Sequence, residues 1–173
     1  MTLVAWGISE KIPPQWKIKP GTPIRFSIRG ILGTTVNGTL QLSSTDIRFD
    51  TSDLAHSSFT VGLDVNSLNT GISMRDSHLA REEYFDSEHY PTIKFRSNSI
   101  EKKNDGSFGV SGRLFLKKTE KVLIIPFQFQ SDGKNARFTG GFTINRKDFG
   151  IGGSSLSMGE IVTVKLDIPV TAL

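Results

Sequence analysis

Along most of this chain apolar and polar residues alternate one by one. In "PIRFSIRG" Ile24, Phe26 and Ile28 fall on one side and Arg25, Ser27 and Arg29 on the other, the two-residue period of a strand with one dry and one wet face. The period recurs in "TVNGTLQL" (Val36, Leu40, Leu42), "FTVGLDV" (Phe59, Val61, Leu63, Val65), "TIKF" (Ile93, Phe95) and "FGVSGRLFL" (Phe108, Val110, Leu114, Leu116). It returns in "RFTGGFTINR" (Phe138, Phe142, Ile144) and "EIVTVKLDIPV" (Val162, Val164, Leu166, Ile168, Val170). In "VLIIPFQFQ" the residues Leu123, Ile125, Phe127 and Phe129 keep one parity while Val122 and Ile124 crowd the other. That doubling predicts a segment whose start is covered on both faces. Helical periodicity hardly occurs.

"NDG" at 104–106 and "SDGKN" at 131–135 separate consecutive runs by hairpin lengths, so neighbouring strands are mostly antiparallel. The expectation is an all-β fold of about eight antiparallel strands closing into a barrel, which removes the exposed edges of an open sheet. Within it "VNGTL", "VSGRL" and "FTGGF" place Gly38, Gly112 and Gly140 between apolar residues of the same parity, pointing inward. Two readings stand open. Strand glycines mark sharp curvature, or their missing side chains leave an elongated void along the lumen.

One stretch breaks the alternation. "RDSHLAREEYFDSEHYPTIKF", residues 75–95, is dense in charge and holds two of the chain's three histidines. It joins the strand ending near Val65 to the one starting at Thr92, which Pro91 sets in extended backbone. The apolar Leu79, Tyr84, Phe85 and Tyr90 are too irregular for one amphipathic helix. They suit a flap of short helical turns, around residues 72–90, laid over a barrel mouth.

Composition excludes several alternatives. At 173 residues the chain suits one domain, 1–173 with residues 1–15 as an extension. The net charge is +4 with 22% charged residues, and the basic residues are scattered rather than striped, so nucleic acid is not expected as a partner. There is no cysteine, hence no disulfide, thiolate metal site or cysteine nucleophile. No run has the length of a membrane-spanning helix, and stable membrane insertion is not expected. "MTLVAWGISEKIPPQW" lacks the basic start and apolar core of a secretory signal.

Candidate chemistry is sparse. His78 and His89, beside Asp76, Asp86 and Glu88, lack any helical ligand spacing for zinc, and structural histidines within the flap are the expectation. Asp76 is expected to cap a helical turn and Arg75 to pair locally. Glu82, Glu83, Asp86 and Glu88 crowd one loop with no partner carboxylate elsewhere. "GVSG" at 109–112 sits inside a strand and lacks the nucleophile-elbow pattern, and "GIGGSS" at 150–155 follows no strand-to-helix pattern and reads as a mobile hairpin tip. No catalytic residue, metal or cofactor is expected.

The block Arg75-Asp76, His78-Leu79, Phe85-Asp86 and Tyr90-Pro91, followed by "VSGRLFL" and by Arg146, Asp148, Phe149 and Gly150 in "FTINRKDFGI", resembles the YceI-like family of bacterial polyisoprenoid-binding proteins. The likeness runs from about residue 16 to the C-terminus. It implies an extended lipocalin-like antiparallel barrel, closed at one end, that holds an isoprenoid-type lipid and has no assigned catalytic residue. It also implies export to the periplasm or beyond, with the cytoplasm as the alternative for a chain without a signal.

The expected function is non-catalytic carriage or storage of a long-chain isoprenoid-type lipid or quinone, because apolar lumen residues gain from burying methylenes and need no polar partner. The lumen is assigned to Ile24, Phe26, Ile28, Val36, Gly38, Leu40, Phe59, Leu63, Phe95, Val110, Gly112, Leu114, Phe127, Phe129, Phe138, Gly140 and Phe142. The mouth is assigned to Arg75, His78, Leu79, Arg81, Tyr84 and Phe85. The alternatives are a lipid-modifying isomerase or cyclase and a filled-core stress or interaction protein. A homodimer is left open.

Overall fold

The alternating segments become strands. The computed structural model describes residues 11–154 and 157–173. Most of the N-terminal stretch assessed above as a signal, and Ser155 of the glycine-rich tip, lie outside them. The strands are β1 (Gln15–Ile18), β2 (Pro23–Gly30), β3 (Thr35–Arg48), β4 (Ser58–Asn69), β5 (Thr92–Lys102), β6 (Phe108–Leu116), β7 (Thr119–Ser131), β8 (Asn135–Asn145) and β9 (Met158–Ala172). One helix, α1 (Ser73–Leu79), and two 3₁₀ turns at Leu54–His56 and Arg146–Phe149 complete the described elements.

From β2 to β9 each strand pairs antiparallel with the next, and β9 returns to pair with β2, closing an eight-stranded barrel. The ninth strand, β1, shares the place of β2. Both lie between β3 and β9 and run in the same direction. They are two halves of one position, broken where Pro20 and the left-handed Gly21 (φ +77°) turn the chain and Thr22 donates to the carbonyl of Lys19.

The two ends differ. At one, Phe49 leaves β3 and turns inward with 1% of its surface exposed. Its ring meets Phe59, Phe108, Phe127, Phe129 and Phe138 at centroid distances of 4.9–5.7 Å, mostly edge-on, the geometry that the ring quadrupoles favour. Trp16 caps this cluster, donating its indole N–H to the carbonyl of Phe49 (3.0 Å). That end is plugged. The other end carries the β2–β3 turn, the long β4–β5 connection with α1, the β6–β7 turn and the loop after Arg146.

Two expectations fail on the barrel wall. Val122 and Ile124 are 64% and 68% exposed, not covered, because they fall on the outer face of β7 while Ile125 lines the lumen. β7 pairs with β8 only from Phe127 to Ser131, stopping at Pro126, which has no amide hydrogen to give, and no described element covers the outer face of the preceding residues. The three inward glycines leave no void. A β-carbon on Gly38 would lie 2.3 Å from the Phe26 ring, on Gly112 2.4 Å from the Phe95 ring and 2.7 Å from the Arg96 carbonyl, and on Gly140 2.4 Å from the Pro126 carbonyl. Aromatic rings or neighbouring backbone fill each place, and glycine is what lets them approach.

This decides the expected behaviour of Gly112→Val. The new side chain collides with a backbone oxygen as well as a ring, so the substitution should destabilise the fold by about 1–3 kcal/mol, the usual cost of overpacking. Urea unfolding measures it. A midpoint equal to that of the unaltered protein would show that the Phe95 ring and strand β5 move aside freely.

Candidate functional site

Above the aromatic plug the barrel is hollow. A cavity of ≈ 580 Å³ opens at the mouth, within the about 300–1,000 Å³ usual for small-molecule sites. Its wall is supplied by the inward parity of the strands: Ile24, Phe26 and Ile28 from β2, Val36 and Leu40 from β3, Phe59 and Leu63 from β4, and Phe95 from β5. Val110 and Leu114 of β6, Phe127 of β7, and Phe138 and Phe142 of β8 continue it. On β9, Val162, Val164, Leu166, Ile168 and Val170 form one unbroken apolar stripe.

Four lumen assignments need correcting. Gly38, Gly112 and Gly140 do not line the cavity, since the Phe26 and Phe95 rings, and for Gly140 the backbone at Pro126 and Phe127, stand in the way. Phe129 also lies off the lining; its ring is engaged by Trp16 at 5.4 Å and Phe49 at 4.9 Å in the plug.

At the mouth, Arg75, His78, Leu79, Tyr84 and Phe85 reach the cavity. Arg81 does not; it is exposed on the outside of the flap. The flap is tied from within. Asp76 does not cap α1, whose N-cap is Ile72. Its carboxylate instead accepts from the amide (2.9 Å) and hydroxyl (2.5 Å) of Thr70. Arg75 donates to the Thr70 hydroxyl and carbonyl, each at 2.8 Å, so it pairs locally, with uncharged groups. His78 packs against Tyr84 at 5.0 Å. His89 bonds Asp86 at 2.8 Å, and that hydrogen bond, with the carboxylate charge, raises the imidazole pKa. Among the described residues no three His, Asp or Glu side chains gather as a metal site would require.

Sequence reasoning missed several lining residues at this end, among them Thr34, Thr70 and Ile151, and the one with most consequence is Arg146. It is 2% exposed and borders the cavity. Nε donates to the carbonyl of Gly159 (2.7 Å), and Nη1 to those of Ile151 and Gly152 (both 2.7 Å). This pulls the chain after Phe149 into a tight loop, with Gly150 (φ +67°) and Gly152 (φ +61°) in left-handed backbone. Ile151 and Gly152 are buried, so this part of the glycine-rich stretch is a pinned loop rather than a mobile tip. Phe149 and Ile151 pack with Leu114, Leu116, Leu123 and Ile144, closing the gap where β7 leaves β8. The amide of Gly152 donates to the Glu83 carbonyl (2.6 Å), and Lys117 Nζ donates to the carbonyls of Glu82 (2.9 Å) and Gly150 (3.1 Å). Flap and loop are thus clasped into one rim.

Among the described residues the charged lining groups are Arg75 and Arg146, the imidazole of His78 joins them at the mouth, and no carboxylate is in the lining. Chemically this is an apolar tube with hydrogen-bond donors at its rim.

Comparison with known proteins agrees with this architecture. The family model described as the YceI-like domain matches residues 16–170. A UPF0312 protein of Vibrio cholerae is 28% identical over 134 residues, 74% of this chain and 71% of that protein. The crystal structure of Burkholderia cenocepacia BcnA superposes with a TM-score of 0.82 at 21% identity, over 90% of this chain and 100% of that one. A polyisoprenoid binding domain from Saccharophagus degradans, implicated in plant cell wall breakdown, gives 0.70 at 13% identity over 94% and 100%.

Proposed function

Because this chain belongs to the YceI-like family, we propose that it binds a long-chain isoprenoid-type lipid in its barrel, as a carrier or store rather than a catalyst. The observation that carries the reading is the cavity itself, whose wall is apolar from the plug to the rim. Each methylene moved from water into such a wall contributes about 0.8 kcal/mol. A tail therefore gains with every unit it inserts. The polyisoprenoid binding named for the Saccharophagus domain supports the same ligand class here.

The binding reading is preferred to the enzymatic one for a chemical reason. Isomerisation or cyclisation of a lipid needs an acid or base beside the reacting carbons; among the described residues no carboxylate lines the wall, and the titratable His78 and Tyr84 belong to the flap at the mouth, where they pack on each other. Arg146 is saturated with backbone carbonyls. A cavity of ≈ 580 Å³ takes part of a long polyprenyl chain, so the polar end sits at the rim near Arg75. The compartment suggested by family resemblance is the periplasm, which fractionation of the source cells would test.

Titration with isoprenoid quinones, together with mass spectrometry of an organic extract of the purified protein, should show one long-chain apolar ligand bound per chain. Failure to take up any isoprenoid or acyl lipid would overturn the proposal.

A further inference from the structure

Two loops at the mouth point large apolar side chains into solvent. The β2–β3 turn carries Ile31 and Leu32, Leu32 being 92% exposed; the segment entering α1 carries Ile72 and Met74, Met74 being 83% exposed. Neither pair belongs to either hydrophobic cluster of the core. Hairpin tips ordinarily hold Gly, Asn, Asp or Ser, so Ile-Leu at this tip serves no purpose in the fold. The turn is nevertheless well defined. The amide of Gly30 donates to the Thr34 carbonyl (2.7 Å) and that of Gly33 to the Gly30 carbonyl (3.1 Å).

The placement of the four is what gives them meaning. Gly30 and Thr34, which bracket the first pair, line the cavity, as do Thr70 and Arg75, which bracket the second. The tips themselves do not. They stand outside the entrance, continuous with the apolar tube. Residues 25–42 contain Arg25 and Arg29 and no acid; the flap is mixed, with Arg75 and Arg81 followed by the exposed Glu82 and Glu83, and with Asp76 bonded inward to Thr70.

We propose that this rim docks the open mouth onto a lipid bilayer, so that cargo passes between bilayer and barrel without crossing water. The inference rests on the lipid-binding reading. Shallow insertion of a few apolar side chains is how proteins adhere to a membrane surface without spanning it. A guest whose tail is wholly apolar leaves a bilayer slowly through water, and a mouth pressed against the surface removes that step.

The test uses the full chain, mixed phosphatidylethanolamine–phosphatidylglycerol vesicles, and a fluorescent geranylgeranyl lipid as probe. The unaltered protein should float with the vesicles and extract the probe at a rate that rises with vesicle concentration. The double variant Leu32→Ser/Met74→Ser should lose flotation and extract about tenfold more slowly or worse. Its binding of the same probe diluted from ethanol should be unchanged, because neither residue lines the cavity. Equal flotation and equal extraction by the two proteins would overturn docking. If neither protein binds the probe from ethanol, the lipid-binding reading fails separately, and docking is then decided by whether the variant loses flotation.

Discussion

Replacing Arg146 with methionine should lower stability by about 3–5 kcal/mol, because several backbone carbonyls that it satisfies lose their donor at about 1–3 kcal/mol each. For a chain of this size that is a fall in Tm of roughly 10 °C. The methionine fills a similar volume but donates nothing. The carbonyls that lose this donor are those of Ile151, Gly152 and Gly159. Arg146→Lys should not rescue, because an ammonium cannot reproduce a planar fork aimed at carbonyls on both sides. The consequence extends to the site. Gly152 holds the flap through Glu83, so releasing the loop frees the rim, and lipid should dissociate faster from the variant at temperatures where the barrel is still folded. A Tm within a couple of degrees of the parent would show that the loop keeps its shape without the guanidinium.

Phe49→Ala should cost about as much, roughly 3–5 kcal/mol for truncating a buried phenylalanine. It removes the ring that five others surround. Here the loss should depend on the ligand. Phe59, Phe127 and Phe138 touch Phe49 on one side and line the deep end of the cavity on the other. The space released is thus next to the lumen. A lipid with a longer tail should fill it and recover part of the lost stability through binding to the native state alone. Thermal melting of apo and lipid-saturated protein across a series of chain lengths reads both effects. A parallel drop in both states at every length would show that the plug and the lumen are separate.

These two residues also mark where sequence reading stops. Phe49 lies one residue past the end of β3, so the alternation that sorts Ile24 or Val164 inward carries no information about it. Its position depends on the chain folding under the barrel as far as Ser57. Arg146 reads by type as a surface cation; only the return of the chain through Gly159 brings enough carbonyl oxygens around it to replace water. The glycines fail differently. Their inward parity was legible, yet what occupies the space before them is set by register across strands, Phe26 opposite Gly38 and Phe127 opposite Gly140, and by the Phe95 ring lying over Gly112.

What the sequence by itself determined is the wall. Side chains on a strand alternate faces whatever the neighbours are, and so the barrel class, the apolar lumen and the interrupting flap between Val65 and Thr92 could be read one residue at a time. Only the tertiary structure decided where the hollow begins and ends. The aromatic plug, the covered glycines and the carbonyl-bound Arg146 are contacts between segments far apart in the chain, and a local period does not encode the distance at which two such segments meet.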